Sequence, residues 1–283
     1  MLSLPLMVLL PFWVLLVSGC AANESVESTS KETTTTTETS VFWNYTALGD
    51  SLAAGTGASY KGYVDRYADY LAADTGARVN VTNLGRNGQT SPELLYALSN
   101  DPSWRKAVKE ADVVTVNVGI NDLGRASQAY ENGTCGGDDN QDCLRAAAET
   151  VEGEWTAITA ELLSLRSTSD TVVRVAGLGY TPYLDTGEVP DSRRGDDELN
   201  DFQIFEPYLD EVNRHIATTA SSNGIPYAEV HLDKGYIGPD GVHPTDEGYE
   251  VIAERLRELG YYPLDRQNNG ADVQEGSVSQ REG

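Results

Sequence analysis

The segment YTALGDSLAAG, residues 45–55, joins an alternating apolar run to a turn of small residues that carries a serine. The alternation predicts a half-buried strand, and the glycine and aspartate after it predict a sharp turn. Residues 52–54 are suited to open a helix whose N-terminal N–H groups would face Ser51 and favour an anion there. Ser51 is therefore a candidate nucleophile, although Gly-Asp-Ser is also a common turn composition.

The rest of the chain alternates predicted strands with predicted helices, which indicates a parallel sheet covered on both faces, a three-layer α/β/α sandwich. The predicted strands are residues 41–48, 78–84, 112–118, 171–178 and 226–232. The helical patterns cover residues 63–73, a stretch from 91, and residues 102–110, 144–165, 205–224 and 245–259. Residues 124–142 and 179–200 lack a regular pattern and are expected to form long loops at the site.

Candidate catalytic residues follow four of the five predicted strands. Ser51 follows the first strand, Gly88 the second, Asn121 the third, and Asp240 with His243 the fifth. Ligands of open parallel sheets bind beyond the carboxyl ends of the strands. The site is therefore expected at that edge.

A serine nucleophile needs a base, and the chain has three histidines. His215 falls inside a predicted helix, which favours a structural role, and His231 falls within the fifth strand. His243 lies in the loop after that strand, three residues beyond Asp240, so a tight turn could bring carboxylate and imidazole together. The alternative for Asp240 is a turn-stabilising aspartate before a glycine.

Four short blocks in this order resemble the SGNH hydrolases, also called the GDSL esterase and lipase family. They are GDSL at residues 49–52, a glycine block at 83–90, GIND at 119–122 and DGVH at 240–243. Each block alone is weak, but all four follow predicted strands, and the resemblance spans residues 45–259.

The resemblance implies a flavodoxin-like sheet and a role for each matching residue. Ser51 would be the nucleophile, His243 the general base and Asp240 its orienting partner. The N–H groups of Ser51 and Gly88 and the side-chain amide of Asn121 would hold the oxyanion. The alternatives are a plain loop glycine and a simple turn asparagine.

Both ends of the chain differ in composition from the predicted domain, residues 41–264. Residues 2–17 are almost wholly apolar and lead to Cys20, as in a lipoprotein signal peptide cleaved before a lipidated cysteine. The alternative is an uncleaved membrane anchor. Residues 21–40 and 265–283 are polar and are expected to be a disordered stalk and tail. Either anchor would tether the domain at the outer face of the cell membrane.

The chain is strongly acidic, with a formal net charge of −24 and a pI near 4.3. This field repels nucleic acid, so no nucleic-acid partner is expected, and a strongly anionic substrate is disfavoured. A lysine-poor, carboxylate-rich surface also suits a salt-saturated environment, where repulsion between carboxylates is screened. We therefore expect a halophilic protein, and a monomer.

The cysteines and the missing motifs limit the chemistry further. With Cys20 assigned to the lipid, Cys135 and Cys143 remain as a pair that an extracellular protein could oxidise. The cysteines and histidines lack metal-ligand spacing, and there is no P-loop or dinucleotide fingerprint, so no cofactor is expected.

The function expected from these residues is a serine esterase that acts outside the cell on acetylated carbohydrate or lipid. Side chains that could line an acyl pocket, or simply pack a loop, are Tyr180, Tyr183, Leu184 and Phe202. The alternatives are a tethered binding lipoprotein on the same fold and a carbohydrate O-acetyltransferase.

Overall fold

A single parallel sheet forms the centre of the computed structural model, which describes residues 41–179 and 201–265. Its strands are β1 (Phe42–Gly49), β2 (Arg78–Asn83), β3 (Val113–Asn117), β4 (Val172–Ala176) and β5 (Tyr227–Ala228). They lie in the order β2-β1-β3-β4-β5, the flavodoxin-like order, with every pair parallel. The predicted fold class is confirmed, and the strand order reverses between β1 and β3.

Eight α-helices connect and cover the strands within the described ranges. They are α1 (Ser51–Ala54), α2 (Tyr63–Thr75), α3 (Ser91–Asn100), α4 (Pro102–Lys109), α5 (Ile120–Glu131), α6 (Asp142–Leu165), α7 (Asp201–Ser222) and α8 (Asp246–Glu258). Buried residues of α3 to α7 form one core with one face of the sheet, and those of α1, α2 and α8 form a second core on the other. The sheet is thus the middle of three layers.

The pattern of burial explains why these segments form strands. Every residue of β3 and β4 is buried, and most of them are β-branched, as expected of a strand covered on both faces. Alternate side chains enter opposite cores: Val114 belongs to the first core and Val113 to the second. Parallel strands place all their carboxyl ends at one edge, where the predicted site residues therefore meet.

One predicted loop is wrong. Residues 124–142 were expected to be irregular, but α5 continues to Glu131 and leaves only residues 132–141 as a connection. Leu123, Ala126 and Ser127 are buried on one side of α5 and give it a packed face. Because the sequence around these residues is polar and contains glycine, it shows no clear helical period of apolar residues.

The fifth strand is shorter than predicted, because only Tyr227–Ala228 pair with β4. Ala228, Val230 and Leu232 remain buried, so the alternation that suggested a longer strand is real. Since β5 is an edge strand with one neighbour, pairing ends where β4 ends, even though alternate side chains still enter the core.

Candidate active site

Ser51 stands where β1 turns into α1. A side chain at Gly49 would bring Cβ within 2.3 Å of the Asn117 carbonyl oxygen, so only glycine allows β1 to end this close to β3. Asp50 caps α1 by accepting the Leu52 N–H through Oδ1 at 3.0 Å. As the first residue of α1, Ser51 has an N–H group that no intrahelical carbonyl can accept.

Asp240 and His243 form a tight pair in the loop between β5 and α8. Oδ1 of Asp240 accepts the backbone N–H groups of Val242 at 3.0 Å and of His243 at 2.9 Å. Oδ2 lies 2.6 Å from Nδ1 of His243. Partial burial acts to raise the pKa of Asp240, but these hydrogen bonds outweigh burial and lower the pKa to about 2. The carboxylate is therefore ionised at neutral pH and favours the tautomer with a proton on Nδ1, which leaves Nε2 as an acceptor.

The loop after α1 connects Ser51 to the histidine. The Thr56 N–H donates to the Ser51 carbonyl at 3.0 Å, and the carbonyl of Thr56 accepts the Tyr249 hydroxyl at 2.5 Å. A Cβ added to Gly57 would lie 2.9 Å from the Cβ of His243. This loop thus brings the first and last predicted motifs into contact.

The two other residues of the predicted oxyanion hole line the same cleft as Ser51. Gly88 has a φ of +73°, in the region that favours glycine, and its carbonyl accepts from Arg125 at 3.2 Å. Asn121, in the first turn of α5, donates one amide hydrogen to the Gln89 carbonyl at 3.0 Å. This bond orients the amide, and its second hydrogen has no acceptor within residues 41–179 and 201–265.

A cleft of about 460 Å³, here the Ser51 cleft, is lined by Ser51, Gly88, Asn121 and His243. The structure therefore gathers the predicted residues at the carboxyl edge of the sheet, close to the strand-order reversal. Much of the remaining wall is apolar and includes Ile120, Leu178, Phe205, Val230, Leu232 and Ile237. Such a wall can hold an acyl chain while the polar end orients the ester.

The other residues considered from the sequence do not line the cleft or lie outside the described residues. His215 contacts Thr156 and Glu152 on α6, and the side chain of His231 is 74% exposed, so neither histidine lines the cleft. The predicted pocket residues Tyr180, Tyr183 and Leu184 lie outside the described residues, as does the side chain of Phe202.

Two further carboxylates lie near Ser51: Asp50 is buried, and Asp122 is half-buried. Asp50 is fully buried, and its Oδ2 has no hydrogen-bond partner among the described residues. Burial raises the pKa of Asp50 to about 7, and the nearby Asp122 adds to the shift. Burial also raises the pKa of Asp122, whose two oxygens accept the N–H and hydroxyl of Ser91 at 3.0 Å. Asp122 thus ties α5 to α3.

The predicted disulfide between Cys135 and Cys143 is present, with Cα atoms 4.8 Å apart. It closes the connection between α5, which carries Asn121, and α6. Over residues 41–179 and 201–265, no three acidic, histidine or cysteine side chains are grouped to hold a metal ion. The search of the same ranges finds no helix with the length and apolar character of a membrane span.

A flavodoxin-like sheet with a helix-borne serine and an Asp–His pair at its carboxyl edge is typical of serine-dependent ester hydrolases. The model of the GDSL-like lipase/acylhydrolase family matches residues 47–251. The chain belongs to this family and is a hydrolase of the lipase and esterase type.

The chain aligns with several similar proteins over almost the whole of their length. Spore germination lipase LipC of Bacillus licheniformis is 28% identical over 230 residues, which are 78% of this chain and 98% of LipC. The crystal structure of lipase Lip_vut3 from a goat rumen metagenome is 26% identical with a TM-score of 0.65, covering 78% of this chain and 99% of that one. Axe2, an acetylxylan esterase from Geobacillus stearothermophilus, is 19% identical with a TM-score of 0.53, covering 78% and 95%, a likeness of fold alone.

Proposed function

We propose that the protein is a serine esterase in which Ser51 attacks the ester carbonyl and His243 is the general base. The observation that carries this proposal is the Ser51 cleft, which is lined by both residues, together with the 2.6 Å contact between Asp240 and His243. Because Asp240 is ionised and bound to Nδ1, the imidazole presents its other nitrogen as a base and its imidazolium is stabilised.

The reaction would proceed through an acyl-enzyme. Nε2 of His243 removes the hydroxyl proton as the Ser51 oxygen bonds to the carbonyl carbon, and the negative charge moves to the carbonyl oxygen. The same proton passes to the leaving alcohol as its bond to the acyl group breaks. Water, deprotonated by His243, then releases the acid and restores the serine.

The oxyanion would be held by three donors: the N–H groups of Ser51 and Gly88 and the second amide hydrogen of Asn121. The Gln89 carbonyl orients the Asn121 amide before substrate arrives, so little reorganisation accompanies the reaction. The apolar wall of the Ser51 cleft would accept the acyl chain.

The substrate class proposed is an acyl ester of a carbohydrate or a lipid. LipC and Lip_vut3 are lipases and Axe2 is an acetylxylan esterase, so both classes occur among similar proteins.

Hydrolysis of p-nitrophenyl acetate, butyrate and longer esters by the purified domain tests the proposal. Ser51→Ala and His243→Ala should each lower kcat by about 10³-fold or more, whereas His231→Ala, the same change outside the cleft, should not. Absence of hydrolysis by wild type at every salt concentration would favour a binding lipoprotein. Transfer of acetyl groups to an added sugar, with little free acetate, would favour an O-acetyltransferase.

We also propose that the domain is tethered to the outer face of the cell membrane through a lipid on Cys20. The apolar segment and the small residues before Cys20 support this location. Wild type should be lipid-labelled and retained in the membrane fraction, and Cys20→Ala should lose both the label and the retention. Unchanged membrane retention and no labelling of wild type would favour an uncleaved anchor.

A further inference from the structure

A second groove adjoins the Ser51 cleft. This groove, here the Tyr96 groove, has a volume of about 500 Å³ and is built from the loop after β2 and one face of α3. Its lining consists of Arg86, Asn87, Gln89, Pro92, Glu93, Tyr96, Ala97 and Asp101. Asn87 lines both the groove and the cleft, so one ligand can extend from the Gly88 loop into the groove.

An aromatic ring forms one side of the Tyr96 groove. Tyr96 is 70% exposed, and Pro92, one helical turn earlier, lies on the same face of α3. Phe42, Tyr60 and Tyr262 are also exposed, but neither they nor another exposed ring lines this groove among the described residues. The Tyr96 ring offers a flat apolar surface beside polar groups, a composition common in small-ligand sites.

The polar groups of the groove are held in place by their neighbours. The Arg86 guanidinium lies over the ring of buried Trp104, 4.7 Å from its centroid, which leaves its N–H edges as fixed donors. The Asn87 side chain is oriented because its Oδ1 accepts the Thr56 hydroxyl at 2.6 Å. This bond uses the amide oxygen and leaves the amide N–H groups as donors. Asp101 supplies a carboxylate while capping α4.

The charged residues of the Tyr96 groove favour a neutral, polar ligand. Arg86 shares the groove with Glu93 and Asp101, and the chain as a whole carries a net charge of −24. An anionic headgroup would meet two carboxylates within this field, and a bare hydrocarbon would leave the fixed donors unused. A sugar ring has an apolar C–H face for the tyrosine and a rim of hydroxyls that both donate and accept.

We infer that the Tyr96 groove is a subsite for a neutral sugar that forms the alcohol part of the ester. This inference rests on the proposed esterase activity. The acyl group would then occupy the Ser51 cleft, with the sugar extending past Asn87 over the Tyr96 ring.

The test compares acetylated oligosaccharides of xylose, glucose or N-acetylglucosamine with p-nitrophenyl acetate, which is too small to fill the groove. Tyr96→Ala should lower kcat/KM for at least one sugar ester by about tenfold through KM, with under twofold change on p-nitrophenyl acetate. Tyr96→Trp should restore most of the loss. Phe42→Ala, at the opposite edge of the sheet and 63% exposed, removes an equally exposed ring and should change neither substrate.

The inference is overturned if Tyr96→Ala changes all substrates equally, or if wild type cleaves p-nitrophenyl acetate and none of the sugar esters. If wild type cleaves no ester, the proposed function fails and the groove is tested separately by titrating the unacetylated oligosaccharides into the protein. Saturable binding that Tyr96→Ala weakens about tenfold then supports a sugar site. No binding refutes it.

Discussion

Asp50→Asn should make the domain less sensitive to rising pH. Asp50 is fully buried next to Ser51, and its Oδ1 accepts the Leu52 N–H. Asparagine is an equally good N-cap and keeps an oxygen in that position, so α1 retains its hydrogen bond. The substitution therefore removes the ionisation and leaves the local structure in place.

The magnitude follows from the pKa of Asp50, which burial raises from 3.8 to about 7. Between these values the folded protein holds a proton that the unfolded chain has lost, so the free energy of unfolding falls as pH rises. Three pKa units correspond to about 4 kcal/mol, which is fully lost once the pH exceeds about 7. Asp50→Asn and wild type should be about equally stable near pH 4, and the variant about 4 kcal/mol more stable near pH 8.

Urea unfolding of both proteins at several pH values between 4 and 8 measures this difference. The large net charge affects both proteins alike and cancels in the comparison. Asp101→Asn is the matched control, because Asp101 caps α4 through Oδ1 in the same way but is only half-buried. Hydrogen bonds from Ser103 lower the pKa of Asp101 below 3.8, so its ionisation is nearly complete by pH 4 and this control should differ from wild type by an almost constant free energy between pH 4 and 8. A pH-independent difference for Asp50→Asn would refute the reasoning.

Three further predictions concern the site, the disulfide and the surface. Asn121→Ala should lower kcat for p-nitrophenyl acetate about 100-fold, because one oxyanion donor contributes roughly 3 kcal/mol; a loss under threefold would exclude that role. Replacing Cys135 and Cys143 by serine should lower the free energy of unfolding by about 2.5 kcal/mol in urea titrations, and reduced wild type should match the variant. Raising salt from dilute buffer to molar concentration should increase the melting temperature and activity, whereas equal values would argue against a halophilic protein.

Sequence reasoning predicted the sheet well because its signal is local. Continuous β-branched runs predict strands buried on both faces, and the segment following each strand lies at the carboxyl edge whatever the exact bounds. That argument placed the five predicted site residues at this edge. They are Ser51, Gly88, Asn121, Asp240 and His243, of which all but Asp240 line the Ser51 cleft and Asp240 contacts His243.

What sequence reasoning missed depends on contacts between distant segments. The helical face of α5 is short and interrupted by Gly124, so its packing could not be read from periodicity. Asp50 is buried, and Tyr63 of α2 and Tyr249 of α8 lie close enough for its charge to raise their pKa values. Likewise, nothing in the sequence marks Tyr96 as an exposed residue of a groove beside the cleft.

Covalent labelling of Ser51 tests the central claim most directly. A fluorophosphonate transfers its phosphonyl group to an activated serine oxygen with loss of fluoride, and mass spectrometry of the digested protein locates the adduct. We predict a single adduct on Ser51 in wild type, slowed by at least 100-fold in His243→Ala and unchanged in His231→Ala. An adduct on a different residue, or equal labelling rates with and without His243, would contradict the proposed nucleophile and base.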